Sequence, residues 1–90
     1  MFKTLEELIA IIRQRKESSV EESYTYKLSK NKKLSVEKVK EEIAELIEAI
    51  EKNTHKVHEA ADVLYHLMVL LEANGIKIED VMNELKKRQK

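Results

Sequence analysis

The 90-residue sequence contains no cysteine, no proline, no tryptophan and only one glycine. Without cysteine, neither a disulfide framework nor a thiolate metal site can form. No apolar run approaches the roughly 20 residues that a membrane-spanning helix needs, and the acidic residues near the start do not fit a signal peptide. We therefore expect a cytoplasmic protein without a membrane partner.

The sequence also lacks an excess of charge of either sign. Its 17 basic and 17 acidic side chains cancel to a formal net charge of zero, although charged residues make up 38% of the chain. A general nucleic-acid-binding protein normally carries a basic excess. We therefore expect no nucleic-acid partner and, at this length, a single domain spanning residues 1–90.

The scarcity of helix breakers predicts an all-α fold. Apolar residues at helical spacing predict a four-helix protomer. The helices are expected to run from about Leu5 to Glu17, from after Ser35 to Lys52, from His55 to Ala73, and from Glu79 to Arg88.

Local signals mark the ends of these helices. Thr4 with Glu7 resembles a capping box, Ser35 is a favourable N-cap residue, and Asn74-Gly75 is a C-terminal signal. We predict a loop over residues 18–22 and an irregular or weakly helical segment over 23–34. An apolar stripe on the second helix is predicted to face the core; it comprises Val36, Val39, Ile43, Leu46, Ile47 and Ile50.

The third predicted helix is apolar nearly all the way round, which is typical of a helix at the centre of a bundle. One small protomer can hardly cover such a helix on every side. The sequence therefore predicts a bundle that is completed by dimerisation of identical chains.

Acidic residues are concentrated on the two central helices. Glu41, Glu42 and Glu45 lie close together on the second helix, where they also fit an ordinary solvated face, whereas Glu59 and Asp62 are neighbours on the apolar third helix. Buried unpaired carboxylates cost several kcal/mol, and the third helix has no lysine or arginine beside its pair. Converging carboxylates on facing helices suit Mg²⁺, or Mn²⁺ in its place.

Several segments match one known family closely. The acidic spacing E-E-x-x-E and E-x-x-D, the segment Ser23-Tyr24-Thr25-x-Lys27-Leu28 and the run EAADVLYHL over 59–67 resemble the motifs of phosphoribosyl-ATP pyrophosphatases, which belong to the all-α MazG-type superfamily. The ending Asn74-Gly75-Ile76 with Glu79-Asp80-Val81 is similar as well. The chain departs from the family pattern at Lys40 and over 30–33, where glycines are usual.

This resemblance implies the hydrolysis of phosphoribosyl-ATP to phosphoribosyl-AMP and pyrophosphate, the second step of histidine biosynthesis. It implies a MazG-like bundle that is cytoplasmic, dimeric and dependent on Mg²⁺. The family's metal ligands carry over to Glu42, Glu45, Glu59 and Asp62 of this chain, with Glu41 as a nearby acid.

The expected chemistry is attack of water at the α–β phosphate linkage, with Glu41 or Glu45 as the catalytic group that takes the proton. The substrate-binding candidates are Tyr24, Lys27, Lys30 and Arg13, of which the basic residues would meet the phosphates. The same residues also fit solvated lysines, a cation at a helix C-terminus and a packed tyrosine. His66 is interpreted as a core histidine.

Two other functions fit the same residues. One is a MazG-type enzyme acting on another nucleoside triphosphate, and the other is a non-catalytic helical interaction module. The Glu59/Asp62 pair argues against the interaction module, because a scaffold has no reason to keep two carboxylates on an apolar helix.

Overall fold

A computed structural model describes residues 2–16 and 24–89, and within these ranges every regular element is an α-helix. The all-α prediction is confirmed. The helices are α1 (Lys3–Lys16), α2 (Tyr24–Lys30), α3 (Lys32–Lys52), α4 (Lys56–Ala73) and α5 (Ile78–Arg88). None of these described helices is long and apolar enough to cross a membrane. Glu17 and the predicted loop at 18–22 lie outside the described residues.

The prediction of four helices is wrong, because five are present among the described residues. The additional helix, α2, occupies part of the segment that was predicted to be irregular or weakly helical. It is short and polar, but Thr25 and Leu28 are three residues apart on one face, and both are buried. Packing of that face against the other helices stabilises α2, which its local sequence does not do.

Two predicted helix starts are also wrong. Helix α3 begins one turn earlier than expected, because the side-chain oxygen of Asn31 accepts a hydrogen bond of 3.1 Å from the backbone N–H of Leu34. Asn31 is therefore the N-cap, and Ser35 is buried inside the helix. Helix α1 begins at Lys3, so Thr4 lies within the helix and does not precede it.

Helix α4 lies at the centre of the protomer, as the sequence predicts, and it packs against α1, α2, α3 and α5. The main core cluster joins residues of three helices. It comprises Ile9, Ile12, Leu28, Met68 and Val69.

Helix α3 is rotated relative to the prediction. Its buried residues are Ser35, Val39 and Ala49, whereas three isoleucines of the predicted stripe, Ile43, Ile47 and Ile50, are exposed. Glu42 falls in the same series as the buried residues, three positions after Val39 and seven before Ala49. The face that α3 turns towards α4 therefore carries a carboxylate among small and apolar side chains.

A three-residue turn joins α3 to α4 and brings the two acidic segments together. Asn53 has left-handed backbone angles (φ 55°), and its N–H bonds to the carbonyls of Ala49 and Ile50. Asparagine tolerates this conformation better than most residues. At the other end of α4, Gly75 has φ +72° and confirms the predicted stop.

Arg13 ties α1 to both α4 and α5. Its Nε donates to Glu72 Oε1 at 2.9 Å, and its two terminal nitrogens donate to the carboxylate oxygens of Glu79 at 3.0 and 2.6 Å. Lys16 donates to the backbone carbonyl of Glu72 at 3.1 Å. The two hydrogen bonds from Arg13 lower the pKa of Glu79 to about 2. Arg13 thus compensates the buried Glu72 and holds α5 against the bundle.

This network predicts a specific loss of stability in acid. Because folding lowers the pKa of Glu79, its ionised carboxylate stabilises the folded state fully above the ordinary carboxyl pKa of 4.5. This stabilisation is lost as the pH falls towards 2. We expect Glu79→Gln to lower Tm at pH 7 and to make Tm fall less than in the wild type between pH 5 and pH 2.5. Calorimetry or circular dichroism measures both. Glu84→Gln, on the exposed side of the same helix, should keep the wild-type slope; equal slopes in all three proteins would contradict the assignment.

Candidate active site

Two groups of side chains on facing helices form an acidic cluster, which we define as Glu41, Glu42, Glu45, Glu59 and Asp62. On α3, one oxygen from each of Glu41, Glu42 and Glu45 lies within 4.8 Å of the others. On α4, Glu59 and Asp62 form a second such group with His58. The predicted metal ligands therefore fall into two groups, one near the middle of α3 and the other in the first two turns of α4.

Glu42 shows that the two groups interact. Its side chain is only 12% exposed. Burial is the largest effect raising the pKa of Glu42 to about 6, followed by hydrogen bonding with Glu45 and by the negative charges of Glu45, Asp62 and Glu59. Because each of these charges acts on the same carboxyl group, the structure brings all four predicted metal ligands into one electrostatic environment.

Three buried polar atoms in this region have no hydrogen-bond partner within the described part of the chain. They are Oε2 of Glu42, Oε2 of Glu59 and Nδ1 of His66. A buried carboxylate oxygen without a partner is unfavourable, and a divalent cation is a partner that such an oxygen can bind. An all-carboxylate set of hard oxygen donors fits Mg²⁺ or Mn²⁺.

His66 is buried, in line with its interpretation as a core residue. Its Nε2 lies 3.8 Å from Glu42 Oε1. Burial lowers the pKa of His66, although the charge of Asp62 opposes this effect. A neutral imidazole beside Glu42 leaves that carboxylate without a full counter-charge.

Two basic side chains contact the edge of the acidic cluster. His58 Nε2 lies 3.4 Å from Asp62 Oδ2, and Lys38 Nζ lies 3.5 Å from Glu41 Oε2. Lys38 was not among the residues that the sequence singled out. The available signal was its position, three residues before Glu41 and four before Glu42 on the same helix.

Tyr24 lies beside the acidic cluster in a group of aromatic rings. Its ring stacks on Tyr65 with centroids 6.2 Å apart and meets His66 edge-on at 5.7 Å. The hydroxyl groups of Thr25 and Tyr65 are 2.6 Å apart, which fixes α2 to α4. Burial raises the pKa of Tyr24; the charge of Lys38 lowers it, and those of Glu42 and Glu41 raise it. The ring of Tyr24 is 45% exposed, and we call the exposed side of the cluster next to Tyr24 and Glu41 its opening.

The basic residues predicted to bind phosphate are less closely placed. Arg13 is bonded to Glu72 and Glu79, and Glu72 lies ten residues after Asp62, or about 15 Å further along α4. Lys30 lies over the ring of Tyr26, 5.5 Å from its centroid, and Lys27 is an exposed residue of α2. The structure therefore does not bring Arg13 to the acidic cluster, and it places the two lysines on the short helix that carries Tyr24.

Comparison with known proteins identifies the family. A family model described as phosphoribosyl-ATP pyrophosphohydrolase matches residues 5–89. The chain belongs to this family. The resemblance inferred from the sequence motifs is thereby confirmed, and it extends over nearly the whole chain.

Individual family members are similar along nearly the whole of this chain. The chain is 44% identical over 94 residues to the phosphoribosyl-ATP pyrophosphatase of Pyrobaculum arsenaticum, covering 98% of this chain and 97% of that protein. It is 44% identical over 90 residues to the protein of the same name from Clostridium novyi, covering 96% and 81%. It is also 48% identical over 87 residues to the histidine biosynthesis bifunctional protein HisIE of Pyrococcus furiosus; there the chain covers 96% of its own length but only 41% of the relative.

The buried, unpaired carboxylates predict that the cluster lowers the stability of the metal-free folded protein. We expect Glu42→Gln to raise Tm in the presence of a chelator, because the neutral amide does not repel the other acids. The same change should lower the affinity for Mn²⁺ by at least about tenfold and reduce the rise in Tm that Mn²⁺ causes.

Calorimetry and thermal unfolding, each with and without Mn²⁺, measure these opposite effects. Glu37→Gln, an exposed glutamate on the same helix, is the matched control and should change neither quantity appreciably. A Glu42→Gln protein that is less stable without metal would contradict this description of the cluster.

Proposed function

We propose that the chain hydrolyses phosphoribosyl-ATP to phosphoribosyl-AMP and pyrophosphate, the second step of histidine biosynthesis, as a cytoplasmic enzyme. Membership of the family and the names of its full-length relatives support this activity. The observation that carries the proposal for this chain is the acidic cluster, whose buried Glu42 and Glu59 oxygens lack partners within the described residues. A chain with only a structural role gains nothing from that arrangement.

We propose Glu42, Glu45, Glu59 and Asp62 as the residues that hold Mg²⁺, with Mn²⁺ as a substitute. The mutual effect of their charges on Glu42 supports this set. When bound there, the metal ion would neutralise phosphate charge and make water easier to deprotonate at neutral pH. The protein contributes a fixed set of oxygen ligands on two rigid helices.

The remaining chemistry falls to side chains at the edge of the cluster. Glu41 and Glu45 are exposed, so either carboxylate can reach a water molecule and take its proton as the water attacks phosphorus. The oxygen that bridges the α- and β-phosphates leaves with pyrophosphate. Tyr24 offers a stacked ring at the opening, which suits a base or ribose of the substrate, and Lys27 and Lys30 follow it on α2.

The proposed metal ligands predict a sharp effect of one isosteric substitution. Asp62→Asn removes a charge that the cation needs, so we expect kcat for phosphoribosyl-ATP to fall by more than about 100-fold, since even outer partners of metal ligands are worth 10–100-fold. Helix content by circular dichroism should stay near that of the wild type. Release of pyrophosphate, measured with and without Mg²⁺, reports the activity.

Asp80→Asn provides the control, because Asp80 is an exposed acid on α5 and should keep activity within about twofold of the wild type. The same assay run on a panel of nucleoside triphosphates tests the rival substrate class. Faster turnover of that panel than of phosphoribosyl-ATP would overturn the substrate assignment, and full activity of Asp62→Asn would overturn the site.

We also propose that the enzyme is a homodimer formed through the exposed face of the α3–α4 pair. Three isoleucines of α3 at i, i+4 and i+7 spacing lie on that face, and Leu64 of α4 is half-exposed. The radius of gyration is 14.1 Å, compared with about 12 Å for a compact chain of this length. A second copy of the chain is the occupant that the apolar composition and the small protomer favour.

This surface predicts that one charged substitution separates the protomers. Ile47, the central residue of the three, is 53% exposed, and Ile47→Glu should weaken dimerisation by at least about 100-fold, because it would bury an unpaired charge. Light scattering should show twice the 10.6 kDa chain mass for the wild type and a single chain mass for the variant. Ile11→Glu, at a similarly exposed isoleucine on α1, should remain dimeric. A wild type that is monomeric at micromolar concentration would exclude the interface.

A further inference from the structure

Lys38 belongs neither to the sequence motifs nor to the predicted set of metal and substrate ligands. On α3 it precedes Glu42 by four residues and Glu45 by seven, so all three side chains lie on one side of the helix. The rise between Lys38 and Glu42 is about 6 Å. The backbone of Lys38 therefore lies one helical turn before the first of the proposed metal ligands.

The surroundings of Lys38 are acidic and aromatic. Its Nζ contacts Glu41 Oε2 at 3.5 Å, and the side chain is about one-third exposed. The charge of Lys38 lowers the pKa of Tyr24, against the larger effect of burial, which raises it. The charge of Glu41, its hydrogen bond and the charge of Glu42 raise the pKa of Lys38. Lys38 thus contacts the edge of the acidic cluster at Glu41, on the side of the cluster where Tyr24 lies against His66.

A polyphosphate cannot approach this opening without cations. The cluster contains five carboxyl groups, and one divalent cation offsets only part of their charge. Arg13 does not reach the opening, because it bridges Glu72 and Glu79 at the far end of α4. Among the predicted phosphate ligands, Lys30 lies over Tyr26. Among the described lysines and arginines, Lys38 is the one paired with an acid of α3 in the cluster.

We propose that Lys38 binds the phosphate groups of the substrate at the opening of the acidic cluster, beside Tyr24. This inference rests on the proposed function, since it takes the substrate to be a polyphosphate. On binding, the ammonium group exchanges the carboxylate of Glu41 for phosphate oxygens, which form stronger charge-assisted contacts. The exchange leaves Glu41 without its lysine partner and available to a water molecule.

The experiment compares the wild type with Lys38→Met, which removes the charge but keeps the length, and Lys38→Arg, which keeps the charge. Lys40→Met is the matched control, because Lys40 is exposed and lies 200° further round the same helix. Each protein is assayed for kcat and KM with phosphoribosyl-ATP and Mg²⁺. Calorimetry then measures the affinity for pyrophosphate in the presence of Ca²⁺, and separately the affinity for Mn²⁺ alone.

We expect Lys38→Met to raise KM and to weaken pyrophosphate binding, each by about tenfold, as for the loss of one charge-assisted contact. The affinity of the same variant for Mn²⁺ should rise by about two- to tenfold, because a positive charge near the cation has been removed. Lys38→Arg should stay within about threefold of the wild type, and Lys40→Met within about twofold. A lysine that only supports the helix would not produce these opposite changes.

Unchanged KM and unchanged pyrophosphate affinity in Lys38→Met would overturn the proposal. Weaker binding of both pyrophosphate and Mn²⁺ by this variant would also overturn it, because that result would indicate a damaged acidic cluster. Absence of pyrophosphate binding by the wild type would also overturn it. A wild type that hydrolyses a different nucleoside triphosphate refutes the proposed substrate alone. In that case the Lys38 variants are compared on the triphosphate that is hydrolysed, and the same expectations decide.

Discussion

The position of Glu42 on the buried face of α3 is the constraint on which the rest of the structure depends. A carboxylate in that series, between Val39 and Ala49, faces α4 and the acids Glu59 and Asp62. Electrostatic repulsion within this group opposes folding of the metal-free chain. The other packing interactions of the protomer must outweigh that repulsion, so that the carboxylates stay together until a cation binds.

Two contacts far apart along α4 provide part of that compensation. Near the acids, the hydrogen bond between Thr25 and Tyr65 fixes α2 and the aromatic group against α4. At the other end, Arg13 of α1 joins Glu72 of α4 to Glu79 of α5. The two contacts have different consequences. Loss of the first would move Tyr24 relative to the acidic cluster, whereas loss of the second would release α5 and leave the acidic cluster unchanged.

The sequence predicted the helical class, the central position of α4 and the proximity of the acids, because each depends on strong local periodicity. It did not predict α2, whose helical state depends on burial of Thr25 and Leu28, or the N-cap at Asn31. The orientation of α3 was misjudged for a physical reason. Ile43, Ile47 and Ile50 form the more apolar side of that helix, yet they are exposed. The protomer buries the side with smaller residues instead, so hydrophobicity alone does not show which side of a helix faces the core.

The candidate residues for the active site show the same division. Metal ligands could be proposed from spacing because helical geometry fixes which side chains lie near one another. Basic residues could not be placed in this way, since long side chains bind whichever acid the tertiary structure brings near. Arg13 therefore fitted a phosphate ligand from its sequence position, although Glu72 and Glu79 hold it elsewhere, and Lys38 went unnoticed one turn before the acids.

The three-residue connection between α3 and α4 has a consequence for how this chain tolerates insertions. The left-handed angles of Asn53 and His55 reverse the chain, and Glu45 and Glu59 line the same surface pocket on either side of the connection. A residue inserted there would shift the acids of α4 relative to those of α3. By contrast, the segment from Asn74 to Lys77 leads only to α5 and could grow without disturbing the acids. Variation in chain length among natural or engineered forms should therefore be tolerated at that second connection and excluded from the first.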